Sequence, residues 1–140
     1  MRLGVHVDTH GLPEKLSLFS SVEAKRAIRG AVGKAGQRGR TLARAGAPVR
    51  TGIGRAGIRS TSVRGLSNTA IAKIYLSGSH AHIMRWQDQG TGDRHTHSGA
   101  DRGMVGAQHF MERAAIRLED ELPLIMNEYI DAALAKAGLL

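Results

Sequence analysis

The sequence predicts an α+β fold: an antiparallel sheet of about four strands packed with a long N-terminal helix and a C-terminal helix. Three observations point there. Residues alternate between apolar and polar in short stretches, the period of a half-buried strand. From Leu16 to Leu42 apolar residues recur at roughly helical spacing. From Met111 to Ala132 they step by four and three along one face. With 140 residues and 15.0 kDa, the chain fits a single domain over 1–140.

The elements follow in order. Leu3, Val5 and Val7 alternate with Gly4, His6 and Asp8 and predict a short strand, ended by Gly11 and Pro13. Proline is tolerated in a first helical turn, so a long helix starts near Pro13. Its apolar side comprises Leu16, Phe19, Val22, Ala27, Ile28, Ala31, Val32, Ala35 and Leu42. Gly30, Gly33, Gly36 and Gly39 recur every third residue, each costing about 0.8–1 kcal/mol in a helix interior. Two readings account for them: a poor helix that orders on assembly, which is favoured, or a close approach by another backbone. The glycine-rich stretch 46–57 reads as a loop. A hairpin follows, with strands near 58–64 and 69–77 around a turn at Gly65-Leu66-Ser67-Asn68. In its second strand Ala70, Ala72, Ile74 and Leu76 share one face, and Ile71, Lys73 and Tyr75 the other. A further strand is expected at 82–87. Residues 91–106, polar and glycine-rich, read as an exposed flexible loop.

The C-terminal helix has Met111, Ala115, Leu118, Leu122, Ile125, Tyr129 and Ala132 on its apolar face. Pro123 removes an amide donor there and predicts a kink or short break near Leu122. Gly138 is the expected stop.

Composition bounds the chemistry. There is no cysteine, which excludes disulfides, thiolate zinc sites and nucleophilic cysteine. No apolar run reaches membrane-span length, and the N-terminus lacks a signal-peptide pattern; a cytoplasmic origin is expected. Net charge is +8, unevenly spread. Residues 1–64 hold 13 Lys or Arg against 3 Asp or Glu, and residues 65–140 hold 7 against 9. Such asymmetry points to a positive face that meets nucleic acid or an acidic neighbouring subunit.

Catalytic constellations are weak. His80, His82, His95, His97 and His109, with Asp88, Asp93 and Asp101, offer imidazole and carboxylate ligands. The spacing fixes no geometry, and solvated loop histidines are the favoured reading; no metal and no cofactor is expected. No Gly-x-Ser-x-Gly occurs, and the run Gly52 to Gly57 matches neither phosphate-loop spacing. Phe19, Tyr75, Trp86, Phe110 and Tyr129 are too scattered for a base-stacking platform.

Three segments stand in a fixed order: Pro48-Val49-Arg50-Thr51-Gly52; Trp86-Gln87-Asp88-Gln89-Gly90-Thr91-Gly92; and Ala107-Gln108-His109-Phe110-Met111-Glu112-Arg113-Ala114. In this order and spacing they resemble the tail-completion or head–tail joining minor tail proteins of long-tailed bacteriophages, over about Leu16 to Ala137. Pro48, Thr51 and Gly52, followed by Arg55, match the first family segment. Trp86, Gly90 and Thr91 match the second, although family members often carry Glu-Phe where this chain has Asp88-Gln89. Phe110 and Ala114 match the third, where a proline commonly stands in place of His109. The residues themselves read as determinants of the fold more than as ligand contacts.

The resemblance implies a non-enzymatic virion protein of the tail neck, made in the host cytoplasm and assembled as a ring of six subunits. It implies tail-terminator or tail-tube subunits and neck or connector proteins as partners, and the tape-measure protein as another. Non-specific DNA contact is a secondary expectation, and no membrane is involved. The alternative is a basic nucleic-acid-binding protein or a transient assembly factor.

Overall fold

The structure, a computed structural model, describes residues 12–64 and 70–140. It is α+β, with a two-stranded antiparallel sheet and a long helix toward each end. The expected strand over residues 3–7 and the turn at 65–68 lie outside the described residues.

The N-terminal helical region is divided. Helix α1 (Leu12–Ser17) ends before Ser20, and α2 (Ser21–Gly46) starts anew. The boundary is a capping box. The Glu23 amide donates to Ser20 Oγ at 3.3 Å, and the Ser20 amide donates to the Glu23 carboxylate at 3.1 Å. Two amides that a helix start leaves without partners are thereby satisfied, and the Ser20 hydroxyl and amide hold the Glu23 carboxyl below its usual range. The Ser-x-x-Glu signature is in the sequence, masked by the near-continuous apolar spacing across it. Val22, expected on the buried side, is 66% exposed.

Helix α2 runs unbroken through its four regularly spaced glycines, each facing a neighbour. Gly30 lies under the Tyr129 ring, Gly33 beside Ser62, Gly36 beside Ala72 and Ser60, and Gly39 beside Ile74 and Leu118. A step of three residues turns about 300° around a helix. The glycine line therefore winds from the C-terminal helix onto the hairpin. Close approach, one of the two sequence readings, describes these glycines, with side chains rather than backbone as the approaching partners.

The hairpin is β1 (Ile58–Arg64) and β2 (Ala70–Leu76), paired from Ile58 opposite Leu76 to Arg64 opposite Ala70. The faces are as the alternation predicts. Ser60, Ala72 and Ile74 turn to α2, while Ile71, Lys73 and Tyr75 are exposed. The small residues on both sides bring the sheet onto the helix at short range.

This contact gives opposite signs for two neighbouring substitutions. A methyl at Gly33 would sit 3.9 Å from Ser62 Cβ, an ordinary contact. Gly33→Ala should raise stability by up to about 1 kcal/mol through helix propensity alone. A methyl at Gly36 would sit 2.8 Å from Ala72 Cβ, which no rotamer can move aside. Gly36→Ala should destabilise by about 1–3 kcal/mol. Urea midpoints of the two variants moving in the same direction would contradict the way the hairpin sits on α2.

The third layer is α5 (Phe110–Lys136), antiparallel to α2. Its buried residues are Phe110, Ala114, Leu118, Leu122, Met126, Ile130 and Leu134. This corrects the predicted face. Leu118 and Leu122 belong to it, but Ala132 is exposed and Tyr129 is 38% exposed. Each step of four turns about 40° past a full circle, so the stripe spirals and changes partners. Phe110, Ala114 and Leu118 join Leu42, Ala43, Ala47, Ile58 and Met84 in one cluster. Leu122, Met126, Ile130 and Leu134 join Ala31 and Ala35 in a second, with Leu16 and Phe19 at its rim. Pro123 sits inside α5 without a break, on its exposed side. The helix closes as predicted at Gly138 (φ 72°), where the Leu139 amide reaches the Leu134 carbonyl at 3.0 Å.

Two ion pairs tie the helices. Lys15 meets Asp131 at 2.7 Å, and Arg38 grips Glu121 with two bonds, one of 2.8 Å. The Arg38 guanidinium holds the Glu121 carboxyl below its usual range. A folded value below the unfolded one contributes stability above the ordinary carboxylate range and loses it as pH falls through the lowered value. Wild type should therefore be more stable than Glu121→Gln at neutral pH, and the gap should close in acid. A gap unchanged by acidification in denaturant titrations would remove the pair from the stability balance.

The strand expected at 82–87 is instead α4 (Ala81–Gln89), with Met84 and Asp88 buried one turn apart. The sheet has two strands among the described residues, not four. The stretch 46–57, read as a loop, also holds a single turn of helix, α3 (Ile53–Ala56).

Candidate functional site

The second and third sequence segments meet at one end of the α2–α5 pair, where the first leads from α2 into α3. The first leaves α2 at the buried Ala47 and passes through Pro48 to Gly52, whose φ of 81° starts α3. Glycine is suited to this left-handed position because it has no Cβ to clash. Arg44 braces the turn from behind, donating from Nε to the Ile58 carbonyl and from a terminal nitrogen to the Ala56 carbonyl, both at 3.0 Å. Thr51 and Arg55 are exposed. Gly54 lies against Met84, and Gly57 against the Ser77 carbonyl, so α3 and α4 come together where side chains would separate them.

The second and third segments form a clasp. The Gln108 amide donates to the Gln87 carbonyl, and the His109 amide to the Asp88 carbonyl, both at 2.9 Å. The Asp88 carboxylate then accepts from the Met111 amide at 2.9 Å. A side chain from α4 thus caps the first turn of α5, where an anion is favoured by the helix dipole and by unpaired amides. Thr91 exchanges two bonds with Val105, amide to carbonyl and amide to hydroxyl, each 2.9 Å. Gly90, at φ 77°, lets the Val105 and Ala107 backbones approach to about the 3.0 Å at which a Cβ would meet them. Gly90 and Thr91 therefore follow a helix and not the strand expected at 82–87.

Phe110 is fully buried beside Gly46 and Ala114, joining the third segment to the end of α2. His109 precedes it at φ 50°, the one non-glycine with positive φ among the described residues. The loop 91–106 is largely exposed, as expected, but crossed by backbone bonds, including Thr96 amide to Ala100 carbonyl at 2.8 Å. Trp86 is 41% exposed, with the His82 ring edge-on at 5.2 Å and the Arg94 guanidinium 5.6 Å from its centroid.

Of the sequence-predicted residues, Pro48, Gly52, Gly90, Thr91, Phe110 and Ala114 build this end, while Thr51, Arg55 and Trp86 present side chains outward. Asp88 and Arg44 emerge as the polar anchors. Neither carries a local sequence signal, since their partners are backbone groups remote in the chain. The described residues hold no cluster of three or more His, Asp or Glu able to seat a metal, and no buried side-chain polar atom among them lacks a partner. No described helix is long and apolar enough to cross a membrane.

Charge divides along the helices. Helix α2 has seven Lys or Arg and one Glu; α5 has six acidic residues and three basic ones. From Ala24 to Gln87 the sequence contains 13 Lys or Arg and no carboxylate at all, so α2 beyond its first turn, α3 and the two strands carry charge of one sign. Comparing the two halves of the chain blurs this run; its uninterrupted length is the signal.

No protein-family model, curated protein or solved structure matches this chain.

Proposed function

We propose that this chain is a structural, non-enzymatic virion protein of the neck of a long bacteriophage tail, completing the tail and helping join it to the head as an oligomeric ring. One observation carries the reading. Of the three ordered segments that resemble the tail-completion family, the second and third clasp α4 to the start of α5, and the first carries the chain from α2 into α3. Segments that determine a fold are the ones a shared architecture retains.

Charge supports ring assembly. Exposed Glu119 and Asp120 lie beside exposed Ile116 and Leu124 on α5. Exposed Lys25, Arg26 and Arg29 lie beside Val22 on α2. The two surfaces are complementary in sign and each has an apolar element, which suits a repeating heterologous contact. Six subunits would match tail symmetry, with tail-terminator, tail-tube or connector proteins and the tape-measure protein as neighbours.

Cryo-electron microscopy of the phage particles that contain this chain tests the proposal. A ring at the head-proximal end of the tail is the expected result. Absence from the particle would overturn it and favour the second reading, a transient assembly factor or basic nucleic-acid-binding protein, for which the carboxylate-free run speaks. Self-association should weaken as salt rises, read from the subunit mass distribution.

A further inference from the structure

We infer that the outer face of the β1–β2 hairpin is a sequence-independent site for the phosphate backbone of duplex DNA. The inference does not depend on the neck reading.

Helix α2 covers one side of the hairpin through Gly33, Gly36 and Gly39. The other side carries Arg59, Thr61, Ile71, Lys73 and Tyr75, all exposed. Register places them together. Arg59 stands opposite Tyr75, and Thr61 opposite Lys73. Arg59 and Lys73 are thus diagonal neighbours on adjacent strands, about 7–8 Å apart at the backbone. Both strands lack carboxylates, and the ion pairs among the described residues engage neither Arg59 nor Lys73. Two cations, a hydroxyl and a phenol on one face supply donors for phosphate oxygens, which accept most protein–DNA hydrogen bonds. Exposed Arg55 adds a further cation on the α3 turn that leads into β1.

Shape agrees with charge. A two-stranded ribbon is narrow enough to lie along a duplex groove. The alternative occupant for a basic face is an acidic protein. Protein interfaces have an apolar centre from which charges are depleted, whereas here Lys73, paired with Thr61, occupies the centre of the face, with Arg59 one pair nearer its base. The face has no base-stacking platform, and its donors suit phosphate oxygens, which every sequence presents alike.

The test is fluorescence anisotropy of the purified full chain with a labelled duplex of about 20 base pairs and arbitrary sequence, over a series of salt concentrations. Arg59→Gln with Lys73→Gln removes two charges from the hairpin. Lys25→Gln with Arg26→Gln removes two from α2 as the control. Circular dichroism confirms that each pair folds, and Arg59→Lys with Lys73→Arg keeps both charges.

The hairpin pair should lose on the order of tenfold or more in affinity, and its slope of log affinity against log salt should fall by about two. The α2 pair should lose less, and the charge-keeping pair should bind like wild type. Equal losses from the hairpin and α2 pairs would overturn the inference, as would duplex-independent binding to polyglutamate of equal strength. A preference for single-stranded over duplex DNA would also overturn it.

Discussion

Phe110→Ala should destabilise the protein by about 3–5 kcal/mol, lowering the thermal midpoint by on the order of 10 °C. Phe110 is fully buried and touches three parts of the chain at once. Its ring fills the cluster of Leu42, Ile58 and Met84, and its Cβ lies beside Gly46 at the end of α2. Truncation leaves a void whose walls are held by the clasp on one side and by the α2–α5 pair on the other, so collapse is limited. A midpoint within a few degrees of wild type would mean that this end is soft enough to refill the space, and that the three segments do not fix it.

His109→Pro should cost about 3 kcal/mol or more, with melting and denaturant titration as the measures. Proline locks φ near −65°, while His109 sits at +50°. Proline also has no amide to donate to the Asp88 carbonyl, a bond of 2.9 Å. The substitution would misdirect Phe110 and take the Met111 amide from the Asp88 carboxylate. It is informative for a second reason. A proline commonly occupies this place in the family that the sequence resembles, so the variant asks whether this chain accepts one there. A variant as stable as wild type would mean that this chain can adopt the proline-type conformation, and the left-handed His109 would have to be abandoned.

The hairpin is legible in the sequence because a Ser-, Thr-, Ile- and Val-rich stretch and a second strand flank a turn-like segment, and both of its faces follow from the alternation from Ala70 to Leu76. The C-terminal helix is equally legible as an element. Its buried face is not, because a stripe repeating every four residues from Phe110 to Leu134 drifts around the axis and is covered by different partners along its length. Helix α4 is misread as a strand because it is nine residues long, with one buried pair, Met84 and Asp88, to reveal its period. The glycines of α2 show that something approaches, but Tyr129, Ala72 and Ile74 are distant in the chain and carry no mark of it. At the candidate site the segments are visible as motifs, whereas their joining through Asp88 depends on a backbone amide that any residue at 111 except proline would supply.

Antiparallel pairing of α2 with α5 also orders the events of synthesis. Ala31 and Ala35 are covered by Leu122, Met126, Ile130 and Leu134, and the Arg38–Glu121 pair spans 83 residues of sequence. A ribosome working from the N-terminus releases the hairpin while the apolar side of α2 still lacks these partners. The hairpin can form locally, but the core closes only after the last helix has left the exit tunnel. Until then the growing chain displays a basic helix with an uncovered alanine stripe, which is the stage at which chaperones or neighbouring nascent copies would find it.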